Sequence, residues 1–158
     1  MKRFLTLLLS LALALSLTAC GGQDKTPKDV DINQLAADML EALAPMGETM
    51  ELSDATAANY YDMDDFVKEY KVYISTMYIA EEVAVFRLTD ADKKKDGEKM
   101  VEARISDLKA GFDNYLPEEF QTVSQNSLVL SSGDIVCYLV GYQPGLDAAK
   151  AVFDKAMA

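Results

Sequence analysis

The chain has 158 residues, enough for one ordinary domain, and 26 acidic against 15 basic residues leave it a formal net charge of −11. That charge repels phosphate backbones and anionic headgroups, so it argues against nucleic-acid binding and against electrostatic adsorption to a membrane surface. Histidine is absent, which excludes a His-based triad and His metal ligands.

Met1-Lys2-Arg3 is a short positive start, and the uncharged run from Phe4 to Leu17 follows it. About 14 residues are too few to cross a ~30 Å hydrocarbon core comfortably as a permanent helix, and they suit the apolar region of a secretory signal instead. Leu17-Thr18-Ala19-Cys20 resembles a lipobox. In signals of that kind the peptide is cut before the cysteine, whose sulfur carries a diacylglycerol. Two acyl chains, at ~0.8 kcal/mol per buried methylene, supply the two signals that stable anchoring needs. Residues 1–19 are therefore read as a removed signal peptide, Cys20 as the lipidation site, and the expected location is the extracytoplasmic face of the cell membrane, held by lipid.

Residues 20–30, with Gly21, Gly22 and Pro27 among polar neighbours, read as a flexible tether. Residues 31–158 form the expected domain. Asp31 is placed to cap a first helix, Ile32 to Ala44, whose apolar residues recur at helical spacing until Pro45 and Gly47. Leu52 to Phe66 reads as loop with short helical pieces. Tyr70 to Met77 alternates as a half-exposed strand, whereas Glu82 to Leu88 is apolar on both faces and should be central.

Ala91 to Tyr115 is expected to be the longest helix, with Val101, Ile105, Leu108, Phe112 and Tyr115 as its buried stripe and Pro117 as its stop. A hairpin follows: Ser127 to Leu130, a turn at Ser131 to Asp134, and a second two-sided strand from Ile135 to Tyr142. Cys137 lies inside that strand and reads as a small buried hydrophobe. Asp147 is expected to cap a last helix, with Ala149, Val152, Phe153 and Ala156 inward. The order α-β-β-α-β-β-α predicts a single α+β domain with an antiparallel four-stranded sheet and packed helices. Two-sided strands need cover on both faces, from helices split between them or from a partner. An exposed apolar patch on the second face would make the domain a homodimer.

The lipobox, the stretch Ala80-Glu81-Glu82-Val83-Ala84-Val85-Phe86, the helix end Phe112-Asp113-Asn114-Tyr115-Leu116-Pro117 and the hairpin around Ser132-Gly133-Asp134 together resemble the small bacterial lipoprotein family that carries domain of unknown function 4358. The resemblance implies a Gram-positive cell-surface lipoprotein. It brings no activity, and so no catalytic residue.

The residues themselves show no phosphate-binding loop and no nucleophile elbow. A carboxylate pair could still do acid–base work. Asp90-Ala91-Asp92 followed by Asp96-Gly97 lacks the register of a calcium loop, since Lys94 and Lys95 fall where a ligand and the glycine belong. It reads as a helix-capping turn. Asp62-Met63-Asp64-Asp65 is an acidic cluster that reads as a capping or solvated turn, with calcium as the one cofactor to consider.

The candidate recognition surface is Tyr60, Tyr61, Asp62, Asp64 and Asp65, because tyrosines beside carboxylates suit a peptide, a glycan or a basic partner. The plainer expectation there is that Tyr60 and Phe66 close the core while Tyr61 stays wet. The sequence thus points to a membrane-tethered, non-enzymatic binding or interaction module for an envelope protein or cell-wall component. The alternative is an extracytoplasmic carboxylate-based enzyme or calcium-binding module, which would need two or more of Asp62, Asp64, Asp65, Glu81 and Glu82 to converge in one pocket.

Overall fold

A computed structural model describes residues 30–158. The leader 1–19, Cys20 and the tether up to residue 29 lie outside the described residues.

The first helix, α1 (Ile32–Leu43), starts as expected: the Asp31 carboxylate accepts from the backbone N–H of Asn33 at 2.9 Å and of Gln34 at 3.3 Å. It stops where Ala44 turns left-handed at φ 51°. Then come β1 (Thr49–Glu51), the single turn α2 (Asp54–Ala57), β2 (Val67–Ser75), β3 (Glu82–Leu88), α3 (Lys94–Phe112), α4 (Pro117–Gln125), β4 (Ser127–Ser132), β5 (Ile135–Val140) and α5 (Gly145–Met157). Short 3-10 turns occupy Asp64–Phe66 and Ala91–Lys93.

The sheet has five strands in the order β1-β2-β3-β5-β4, all antiparallel, and not the four expected. The extra strand is β1, which pairs Thr49 with Ser75 and Glu51 with Tyr73. It is three residues long and carries no alternation to read. The second correction is α4. Pro117 does not merely stop the long helix; it opens the next one at a first-turn position, where its missing N–H is no loss, with Glu118 and Glu119 at the positive end of the helix dipole. The long helix ends earlier, at Phe112, so Tyr115 leaves the buried stripe and is exposed. The last helix begins at Gly145, so Asp147 lies inside its first turn and is not its cap, and Ala156 faces solvent.

The central strands are β3 and β5, buried along their whole length as their two-sided patterns predict. Ala84, Phe86, Val136 and Tyr138 pack under α3 and α4, while Val83, Val85, Cys137 and Leu139 pack under α1 and α5. The helices are split between the faces, so the chain covers both sides of its own sheet. The uncovered sheet face on which the homodimer expectation depended is not present among the described residues.

The two ends of the sheet differ. At the base, Arg87 closes β3; it donates to the Val30 carbonyl and meets Asp134 at 3.4 Å. The chain therefore enters the domain at the base. The 12 residues of α1 rise about 18 Å from there to the other end, the tip. At the tip a Cβ added to Gly145 would sit 2.1 Å from the Leu43 carbonyl oxygen, so only glycine lets α5 start against the end of α1. The tip also carries the β2–β3 loop and the α3–α4 junction. Among the described residues, no helix is long and apolar enough to cross a membrane.

Candidate functional site

The β2–β3 loop, residues 76–81, is short, surface-facing and firmly held. Thr76 donates through its backbone N–H to the Glu48 carbonyl at 2.9 Å and through its hydroxyl to the same oxygen at 3.1 Å. The Ala80 N–H donates to the Glu119 carboxylate at 2.7 Å, and the Tyr142 hydroxyl donates to that carboxylate at 3.1 Å. Glu81 accepts the Met46 N–H at 2.9 and 3.1 Å. Both carboxylates are buried, and a buried carboxylate persists only where donors meet it. Three segments distant in sequence, the loop after α1, the β2–β3 loop and the start of α4, are thereby tied together.

What this frame displays is apolar. Tyr78 is 88 % exposed and Tyr115 85 %, and Met46 and Met77 are largely exposed beside them. Tyr78, Gly111, Phe112, Tyr115 and Leu116 line a groove of about 400 Å³. Large side chains scattered singly on a surface need no explanation, whereas a group mounted on a hydrogen-bonded frame does. The segments Ala80–Phe86 and Phe112–Pro117, which carry the family resemblance, meet here.

The residues expected to form one recognition surface are divided between two places. Tyr61 is 2 % exposed: its ring packs on Phe86 with centroids 4.8 Å apart, and its hydroxyl donates to Glu82. Tyr60 is 38 % exposed, with its ring over the Arg104 guanidinium at 4.4 Å. This reverses the expectation that Tyr60 would close the core and Tyr61 stay wet; Phe66 is half-buried against the core. The reason is Glu82. A carboxylate on a central strand needs donors, and Tyr61 and Arg104 supply them.

Arg104 holds Glu82 through Nε at 3.2 Å to both oxygens and through Nη2 at 2.8 Å. Burial, and then the Glu82 charge, pushes the Tyr61 phenol well above its usual range. Tyr61 is thus a core residue and no part of a recognition surface.

Asp62, Asp64 and Asp65 line a separate cleft of about 600 Å³ toward the base, with Asp96, Lys93 and Lys99. All three aspartates are exposed, and two lysines share the cleft with them. Glu81 and Glu82 lie elsewhere and line a smaller cavity of about 130 Å³ with Arg104, so the five carboxylates fall into two pockets and not one, three of them meeting in the cleft toward the base. Among the described residues no group of three or more Asp, Glu or Cys is placed to hold a metal ion. Asp90 behaves as the capping residue it resembles, accepting the Asp92 N–H at 2.8 Å. The Cys137 thiol is fully buried, and burial pushes its pKa far up, which makes it inert.

The sequence does not reveal the tip. Met77 reads there as the end of a strand and Tyr115 as the last step of a buried stripe, and Tyr78 falls between two strands. The signal that could have shown it is Thr76 to Ile79, which continues neither the alternation of the strand before it nor the two-sided apolar pattern of the strand after it.

A sequence profile of the family described as Domain of unknown function (DUF4358) matches residues 43–141, more than half of the chain, and the chain belongs to that family. The match spans the whole sheet and, Tyr142 apart, the frame of the tip. No curated protein and no solved structure matches the chain.

Proposed function

We propose that this DUF4358 member is a non-enzymatic interaction module, tethered through diacylglycerol on Cys20 to the extracytoplasmic face of the cell membrane, and that it meets an envelope protein through its tip. The observation that carries this reading is the group of Met46, Met77, Tyr78 and Tyr115, exposed on a frame pinned by two buried glutamates. A pinned surface loses little conformational entropy when a partner docks, which favours binding. The position fits a tethered protein: the chain enters at the base, so the tip faces away from the attachment point. The runner-up, a carboxylate-based enzyme or calcium-binding module, rests on the cleft at Asp62, Asp64 and Asp65, where the lysines oppose cation binding.

The test is photo-cross-linking in cells from position 78, with position 107 on the exposed side of α3 as the control and Cys20→Ala as the anchor variant. One discrete envelope protein captured from position 78, absent from position 107 and lost with Cys20→Ala, is the expected result. Identical products from both positions would overturn the tip as the working surface. A Cys20→Ala chain that stays on the membrane would overturn the anchor.

A further inference from the structure

We propose that the tip is built for a cationic amphipathic peptide segment of its partner, with one apolar side chain in the groove between Tyr78 and Tyr115 and flanking Lys or Arg residues against Glu48, Asp113 and Glu118. This rests on the tip being a docking surface and adds the chemistry of what docks.

Charge decides among the occupants. Residues 29–67, 72–86 and 110–149 contain no lysine or arginine, and these stretches supply every loop of the tip. Glu48 and Asp113 are exposed on those loops and Glu118 in the first turn of α4, and Lys109, a turn before Asp113 on α3, is the nearest base in the α3–α4 junction's own sequence. The tip therefore carries a one-signed negative rim around an apolar centre. An acidic peptide, a nucleic acid or an anionic lipid surface would meet like charge there. A second copy docking tip to tip would do the same, because a two-fold contact sets each rim against its own copy.

A basic segment meets opposite charge at Glu48, Asp113 and Glu118. Its apolar residue finds an open groove: the floor at Gly111 has no side chain, and a Cβ built there has nothing within 4 Å. The tyrosine faces accept both alkyl groups and cations, Phe112 and Leu116 complete the groove, and the exposed Met46 and Met77 thioethers lie elsewhere on the same tip.

The chain carries its own reporters in its eight methionines. Met46 and Met77 sit at the tip, Met39 and Met100 in the two cores, and Met63 follows Asp62 of the acidic cleft. Both described cores are built from residues 30–158, and the chain titrated begins at Gly21, after the proposed lipidation site. Methyl-labelled methionine spectra of that chain would be titrated with three 14-residue peptides: Lys/Leu in an amphipathic pattern, Glu/Leu in the same pattern, and Lys/Ser with the same positive charge. The Lys/Leu peptide should shift Met46 and Met77 and leave Met39, Met100 and Met63 in place, at least tenfold more tightly than either of the others. Tyr78→Ser with Tyr115→Ser should weaken it at least tenfold while Met39 and Met100 keep their native signals.

If the Glu/Leu peptide moved Met46 and Met77 equally, the cationic specificity would be overturned and the tip would stand as an apolar docking surface. If the Lys/Leu peptide moved Met63 and spared the tip, or if no peptide moved Met46 and Met77, the inference would fail. The cross-link from position 78 would then judge the docking surface by itself.

Discussion

Glu81 and Glu82 are neighbours in sequence and both are buried, but they serve opposite ends of a division of labour. Glu82 points under α3 and is neutralised by Arg104 and Tyr61, so its charge is spent inside the core, tying a helix and a loop to the sheet. Glu81 accepts a backbone N–H of the loop after α1 instead. With Glu119 it fixes loops in place. One carboxylate closes the protein's interior; the other two hold part of its exterior still. The apolar residues at the tip are therefore not a core left unfinished, since the core is closed beneath them by its own charge network.

The comparison breaks first at Glu82. Removing one member of a buried ion pair strands the other without compensation, so Arg104→Ala or Glu82→Ala should destabilise the domain by about 3–5 kcal/mol in urea unfolding. The paired change Glu82→Leu with Arg104→Met should recover most of that loss, because two apolar residues leave no charge behind. A single variant as stable as the native chain would mean that the pair does not hold the core. Tip residues should show nothing comparable.

Alkaline pH tests the same interior more gently. Burial, and then the hydrogen bond to Asp54, pushes Tyr70 up from 10.0 to about 12, and Tyr61 is raised in the same direction. Each phenol is held neutral in the folded chain. Below pH 10.0 folded and unfolded chains are both protonated there, and the contribution is complete. As pH rises from 10.0 toward about 12 the unfolded chain ionises first, so stability falls across that window. Urea midpoints measured from pH 8 to 11 should decline only at the alkaline end, and Tyr70→Phe should flatten part of the decline. A midpoint that does not move with pH would contradict the raised state of these phenols.

Most of the fold was legible in the sequence because it follows local rules. The two-sided strands Glu82–Leu88 and Ile135–Val140 announced themselves by apolar residues on both faces, and Asp31 by its place before a periodic run. What escaped depends on partners remote in sequence. Arg104 sits in a charged helix, where solvent is the ordinary expectation, and only Glu82, 22 residues earlier, draws it inward. Tyr61 follows it for the same reason. β1 owes its existence to pairing with β2, since Thr49–Glu51 has too few residues to show a period. Pro117 has two local meanings, a stop and a start, and the left-handed turn at Asn114, φ 67°, separates them here. The tip needed all of these at once, because it is assembled from four loops and held by two carboxylates that look solvated in the sequence.

The smallest expected effect on stability is also the sharpest form of the comparison. Tyr78 and Tyr115 touch water over most of their surface, so Tyr78→Ser and Tyr115→Ser remove little that folding gained, and each should change unfolding free energy by less than about 0.5 kcal/mol. The loop that carries Tyr78 stays pinned by Glu48, Glu81 and Glu119 whatever side chain it bears, since those bonds run to backbone N–H groups and to the Thr76 hydroxyl. Unfolding curves for the two variants should overlay that of the native chain. A loss of 2 kcal/mol or more from Tyr78→Ser would make the tyrosine a structural prop, and the tip would then have no surplus apolar surface left for a partner.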